Sequence, residues 1–173
     1  MTIERDPPGE AAAAKVAASG RVPADGLLHP IALAALVALV VNDHWLKASW
    51  PGPISARLSD VAGLILASLL LQAAIETLLW IARRAWGPSR TVLVAAVIVV
   101  GVGFALSKSV PLAADAYRIG LGILQWPFAA VAALVGSARV PGVVPVEFVA
   151  DPTDLFCLPA LAVSLWIGWR RAR

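Results

Sequence analysis

The chain has 173 residues, of which 60% are hydrophobic and only 14% are charged, and its mean hydropathy is +0.81. A typical soluble domain is about 45–50% apolar and about 25% charged, and a soluble fold of this length could not bury so much apolar surface. The composition therefore excludes an ordinary soluble domain and predicts a helical protein of the lipid bilayer. The net charge of +3 comes from basic residues beside apolar runs. This is not the basic and aromatic pattern of a nucleic-acid-binding surface, so we expect no nucleic-acid partner.

The polar, alanine-rich stretch at the start of the chain, residues 1–26, predicts a disordered cytoplasmic tail. The remainder, residues 27–173, predicts a transmembrane helical domain. A helix needs about 20 apolar residues to cross a bilayer. Four runs approach this length and predict spans at about 28–46, 61–82, 91–107 and 155–169.

Basic residues set the expected orientation of these spans. They are concentrated in the tail, in the connection after the second span and at the C-terminal end: Arg5, Lys15, Arg21, Arg83, Arg84, Arg90, Arg170, Arg171 and Arg173. The positive-inside rule places such regions in the cytoplasm. We therefore predict an all-α, four-helix transmembrane bundle, multi-pass in the cell membrane, with both termini cytoplasmic.

A further apolar run, residues 119–135, is nearly long enough to span the bilayer. If it crossed, the C-terminal arginines would lie outside, against the charge rule. We therefore predict a re-entrant or interfacial segment between the third and fourth helices, with a bend at Gln125, Trp126 and Pro127. A fifth span is the alternative.

This topology brings the polar ends of all four predicted spans to the outer membrane interface. We call these residues the outer polar cluster; they are Asn42, Asp43, His44, Lys47, Arg57, Ser59, Asp60, Lys108, Asp151 and Asp154. Ionisable groups at membrane depth are expensive and usually face a bundle interior or a cavity. The cluster therefore predicts a site for a metal, a lipid head group or a partner protein.

A structural explanation of the cluster stands beside the functional ones. Ser59 or Asp60 before an apolar run is an ordinary helix cap, as is Asp151 or Asp154. Capping does not explain Asp43, because an acid at the C-terminal end of a helix opposes the helix dipole.

Two ligand classes are candidates for the outer polar cluster. Asp43, His44, Asp60 and Asp154 are the residue types that hold a divalent metal, and a metal-activated water would make the protein a membrane-embedded hydrolase. No H-E-x-x-H motif accompanies them. Alternatively, the lysines and Arg57 would bind an anionic lipid head group.

A second polar element lies within the second predicted span. Ser68, Gln72 and Glu76 recur every four residues and therefore form one stripe on a helix. One interpretation is a polar seam that packs two helices. The other is a proton or cation relay, which would make the chain a small transporter or channel subunit. Four spans are few for a transporter acting alone, so this interpretation predicts a homo-oligomer or a membrane-protein partner.

Three stretches resemble a group of small, uncharacterised bacterial membrane proteins of four helices. They are Asn42-Asp43-His44-Trp45-Leu46-Lys47, then Ala56-Arg57-Leu58-Ser59-Asp60-Val61-Ala62-Gly63-Leu64, then Asp151-Pro152-Thr153-Asp154-Leu155. In that group's pattern a lysine often stands where Arg57 stands here. The resemblance covers the chain from the first span to the fourth, and it implies no particular reaction.

Overall fold

The structure is a computed structural model that describes residues 23–50, 52–83, 89–136 and 139–171. All regular structure within these ranges is helical. The main helices are α1 (Pro30–Val41), α2 (Pro53–Arg83), α3 (Arg90–Ser109), α4 (Pro111–Val135) and α5 (Leu161–Arg171). A 3-10 turn at Asp25–Leu28 precedes α1, a π-helix at Asn42–Leu46 and a turn at Lys47–Ser49 extend it, and a 3-10 helix at Pro152–Ala160 precedes α5.

The prediction of an all-α protein is confirmed, but the number of long apolar helices differs from the predicted four. Among the described residues, five helical stretches are long and apolar enough to cross a membrane: Pro30–Ser49, Pro53–Ala82, Arg90–Ser109, Pro111–Val135 and Pro152–Arg171. The additional one contains the run 119–135, for which we predicted a bend at Pro127. The backbone stays helical through Pro127 to Val135, so the run belongs to one long helix, and whether it crosses the membrane stays a prediction.

The chain forms two compact units, and α3 contributes to both. The first contains the described residues up to Gly101 and those from Phe156 onward, and the second is Val102–Leu155. In the first unit, α1, α2 and α5 share a small apolar core of Ala32, Ala35, Ala62, Ile65, Leu69 and Ile167. Alanines let helix backbones approach closely, which is how helices associate in lipid. Large side chains such as Leu36 and Val37 remain exposed, as expected of a lipid-facing surface.

Contacts within the first unit place the beginning of α1 beside the end of α5. Arg171, in the last turn of α5, pairs with Asp25 just before α1. The His29 ring meets the Trp166 ring edge-on at 5.7 Å. We call this the arginine-rich end of the unit, because it also carries Arg90 and Arg170.

In the second unit, α4 is followed by a stretch without regular secondary structure, residues 139–150, which we call the return segment. It runs back along α4: the Val146 N–H donates to the Arg118 carbonyl over 3.2 Å, and the Trp126 indole N–H donates to the Pro141 carbonyl over 2.8 Å. Gly122 lies between these contacts, against the backbone of Val144. Glycine is needed there because a Cβ would overlap the Val144 carbonyl oxygen.

The return segment brings the chain back to the end of α3. The Lys108 ammonium lies 2.6 Å from a carboxylate oxygen of Asp154 and 3.3 Å from the Val149 carbonyl. The side chains of both ion-pair partners are at least 90% buried. Within the second unit, a buried ion pair therefore joins the end of α3 to the beginning of the 3-10 helix.

Substituting the glycine on which this packing depends should loosen the return segment. We expect Gly122→Ala to destabilise the second unit by about 1–3 kcal/mol, because the added carbon overpacks against backbone. Gly120→Ala is the matched control in the same helix, since a Cβ there meets nothing within 4 Å and should be neutral or slightly stabilising. The rate of limited proteolysis within residues 139–150, in detergent, measures the difference. Equal rates in the two variants would contradict the packing described here.

Candidate functional site

The first part of the outer polar cluster is organised around Asn42, where α1 changes into a π-helix. Asn42 is fully buried, and its amide donates to the Ser55 carbonyl over 2.7 Å and to the Ser59 hydroxyl over 2.6 Å. The side chain thus joins the end of α1 to the first turns of α2. This contact gives Asn42 a structural role, while its side-chain oxygen is buried without a hydrogen-bond donor among the described residues.

Asp43 and its neighbours form contacts near the surface. The Asp43 carboxylate accepts from the Ser59 hydroxyl over 2.8 Å and pairs with Lys47 at 2.7 Å. Both members of the ion pair are more than 40% exposed, so the pair adds little stability. The His44 ring lies 3.0 Å from the Val40 carbonyl through Nδ1, which assigns the ring proton to that nitrogen.

The predicted metal-ligand set does not converge in the described structure. Within its residues, no group of three His, Cys, Asp or Glu side chains is placed to hold a metal ion. The Asp43 carboxylate is engaged by Ser59 and Lys47, and Asp154 is engaged by Lys108 in the second unit. These side chains therefore do not fit a metal centre as arranged.

The capping explanation is correct for one predicted residue and wrong for two. Asp151 accepts from the Thr153 N–H over 2.9 Å and so caps the 3-10 helix. Ser59 and Asp60 do not begin α2, because the helix starts at Pro53, where a missing N–H costs nothing. The first unit thus brings together Asn42, Asp43, Lys47 and Ser59, and also holds His44, half-buried Asp60 and exposed Arg57. The second unit holds Lys108, Asp151 and Asp154.

The polar stripe of α2 is fully buried and faces α5. The hydroxyl oxygens of Ser68 and Ser164 lie 2.8 Å apart, and both are within hydrogen-bond distance of the Ile65 carbonyl. One turn further along α2, the Gln72 amide donates to a Glu76 carboxylate oxygen over 2.8 Å. Glu76 is 1% exposed. We call Ser68, Gln72, Glu76, Ser164 and Arg171 the buried seam.

The seam meets the arginine-rich end at Glu76. The second carboxylate oxygen of Glu76 lies 3.6 Å from an Arg171 nitrogen, and Arg171 also pairs with Asp25. Two carboxylates therefore share one guanidinium at the edge of the helix bundle. Sequence analysis identified Glu76 but not its partners. The signal was present, because Ser164, Gly168 and Arg171 share one face of a helix.

Two acceptor oxygens in the buried seam have no hydrogen-bond donor. Within the described residues, the Gln72 side-chain oxygen and the second Glu76 oxygen are buried without a hydrogen-bond donor. A buried acceptor without a donor costs about 1–3 kcal/mol. Each such group in a folded protein calls for an explanation, and a functional role is one of the few available.

An apolar stretch separates the seam from the outer polar cluster. Between Ser59 and Ser68, the fully buried side chains of α2 are Ala62, Leu64 and Ile65. This part of the helix is about 13 Å long at about 1.5 Å per residue. Ala32, Ala35 and Ile167 pack around it. The described residues thus form no continuous polar path from Glu76 to Asp43. The relay hypothesis requires such a path if the chain is an open channel.

Comparison with known proteins adds no family: no family model, no curated protein and no solved structure matches the chain.

Two single substitutions at the α1–α2 junction should show whether Asn42 or Asp43 contributes more to the free energy of unfolding. Asn42→Asp removes the donor to the Ser55 carbonyl and leaves a buried charge, so we expect about 1–3 kcal/mol of destabilisation or more. The neighbouring exchange, Asp43→Asn, occurs at an exposed site and should change stability by less than about 0.5 kcal/mol. Thermal unfolding in detergent compares the two, and equal losses would contradict the assigned role of Asn42.

Proposed function

We propose that the chain is a multi-pass membrane protein that binds and releases a proton at Glu76, as the membrane-embedded part of a proton-coupled process. The observation that carries the proposal is the buried Glu76 carboxylate, with one oxygen bonded to Gln72 and the other lacking a hydrogen-bond donor among the described residues. An ionisable residue inside a membrane bundle is costly, and such residues mark ion and proton pathways.

Helix packing alone explains this arrangement poorly. A buried ion pair contributes little net stability, because desolvation of the charges offsets their attraction. An apolar residue of similar size would pack α2 against α5 as well. Ser68 and Ser164 satisfy each other, as packing residues do. Gln72 and Glu76 retain unfilled acceptors, which is the difference that favours proton binding.

The side chains around Glu76 offer a partner to each of its protonation states. The ionised carboxylate accepts from the Gln72 amide and faces Arg171 at 3.6 Å. When Glu76 is protonated, its O–H donates to the Gln72 side-chain oxygen, which needs only a rotation of the amide group. Arg171 then keeps its pair with Asp25. The proton comes from solvent at the arginine-rich end and forms an O–H bond with a Glu76 oxygen.

Access to the site is proposed from one side only. Asp25 and Arg171 are partly exposed and lie between Glu76 and the surface of the arginine-rich end. On the other side, the apolar residues around Ile65 form a barrier. A barrier on one side of a proton site is what alternating access requires, since a path open at both ends would leak protons.

We further propose that the chain crosses the membrane four times, with both termini on the cytoplasmic side. The Asp25–Arg171 pair supports this, because it joins the residues before α1 to the end of α5. The Lys108–Asp154 pair supports it as well, because it joins the end of α3 to the start of the 3-10 helix that leads into α5. The return segment has no regular secondary structure and runs back along α4. Backbone of this kind is not tolerated when it is exposed to lipid, so we propose that α4 and the return segment do not cross the hydrocarbon core.

Protonation of Glu76 can be detected directly by infrared difference spectroscopy. Spectra of the protein in lipid vesicles, recorded between high and low pH, should contain a protonated-carboxyl band that Glu76→Gln lacks. Gln preserves the size of the side chain and can still bond Gln72, so we expect the variant to fold. Glu147→Gln is the matched control, because Glu147 is exposed on the return segment, and it should retain the band. A Glu76→Gln spectrum identical to that of the unmodified protein would refute the proposal.

A further inference from the structure

We infer that the arginine-rich end of the first unit is a binding site for an anionic phospholipid, distinct from the proton site. Two neighbouring cavities there share the Trp166 side chain. One, of about 390 Å³, is lined by Leu165, Trp166, Trp169 and Arg170. The other, of about 360 Å³, is lined by Ile31, Ala162, Val163 and Trp166. The first has a polar end and the second is almost entirely apolar.

One arginine, Arg170, lines the polar cavity, and a second, Arg90, lies over Trp169, another of its lining residues. The Arg170 guanidinium lies 4.1 Å from the centre of the Trp166 ring, and that of Arg90 lies 4.9 Å from the centre of the Trp169 ring. Among the described residues, no carboxylate pairs with either guanidinium. Stacking fixes the plane of a guanidinium and leaves its edge N–H groups free, in the fork that matches two phosphate oxygens.

The order of the two cavities along α5 matches an amphiphile. Arg170 and Trp169 lie in its last turn, and Ala162 and Val163 lie about two turns deeper. A phosphate near Arg170 would therefore place an acyl chain beside Trp166 and along Ile31 and Ala162. A free phosphate ion would leave the apolar cavity unexplained. Basic pockets between transmembrane helices commonly hold anionic lipid head groups.

The test is native mass spectrometry of the purified full chain with phosphatidylglycerol and, separately, phosphatidylcholine of the same acyl chains. We expect the unmodified protein to retain phosphatidylglycerol preferentially. The double variant Arg90→Gln, Arg170→Gln should bind it about tenfold to thirtyfold more weakly, the effect of removing two basic contacts. The control double variant Arg118→Gln, Arg139→Gln removes the same charge from the second unit, outside the outer polar cluster, and should retain the preference.

A second substitution separates a lipid site from a simple patch of charge. Ala162→Phe leaves every charge in place and fills the apolar cavity, so it should weaken phosphatidylglycerol binding as well. Inorganic phosphate at millimolar concentration should not displace the lipid. The inference is overturned if phosphatidylcholine binds equally well, if the arginine double variant behaves like its control, or if Ala162→Phe has no effect.

Discussion

The absence of water inside a bilayer is the constraint on which this structure depends, because every buried polar group must then find its partner within the chain. The first unit meets this requirement by placing the polar residues of α2 and α5 on facing sides. Ser68 and Ser164 satisfy each other, and Arg171 serves two carboxylates. Several buried polar atoms still lack a hydrogen-bond partner among the described residues, and in α2 they are the Gln72 oxygen and the second Glu76 oxygen, which faces Arg171 at 3.6 Å. When Glu76 binds a proton, its O–H becomes a hydrogen-bond donor for the Gln72 oxygen. This links the geometry of the buried seam to the proposed function.

The burial of charge within the protein places a related constraint on the second unit. Lys108 and Asp154 are buried as a pair, and the Lys108 ammonium also lies 4.8 Å from the centre of the Phe148 ring. Losing either partner would leave an unpaired buried charge, which typically costs about 3–5 kcal/mol. The pair therefore joins the end of α3 to the residues that precede α5. The proposed membrane topology and the proposed proton site thus rest on ionic contacts that join residues far apart in the sequence.

Much of the membrane character was predictable from the sequence, because hydropathy and helical periodicity are local properties. They gave the all-α class and the stripe at Ser68, Gln72 and Glu76. The start of α2 was missed by eight residues, since the polar residues that follow Pro53 resemble a loop. Asn42 was identified, but its bonds to Ser55 and Ser59 depend on how α1 meets α2. Ser164 lies 96 positions from Ser68, and no local pattern specifies which buried serine will meet another. Likewise, the metal hypothesis rested on residue types alone, and the structure pairs two of its members, Asp43 and Asp154, with lysines.

The most direct test of this account is a one-sided pH jump on the protein reconstituted in vesicles with uniform orientation. The observable is the protonated-carboxyl infrared signal assigned to Glu76 by its loss in Glu76→Gln. The account predicts that the signal responds when the pH changes on the arginine-rich side and stays constant when it changes on the other, where apolar residues block access. A signal that follows the pH of the opposite side, or of both sides equally, would contradict the account.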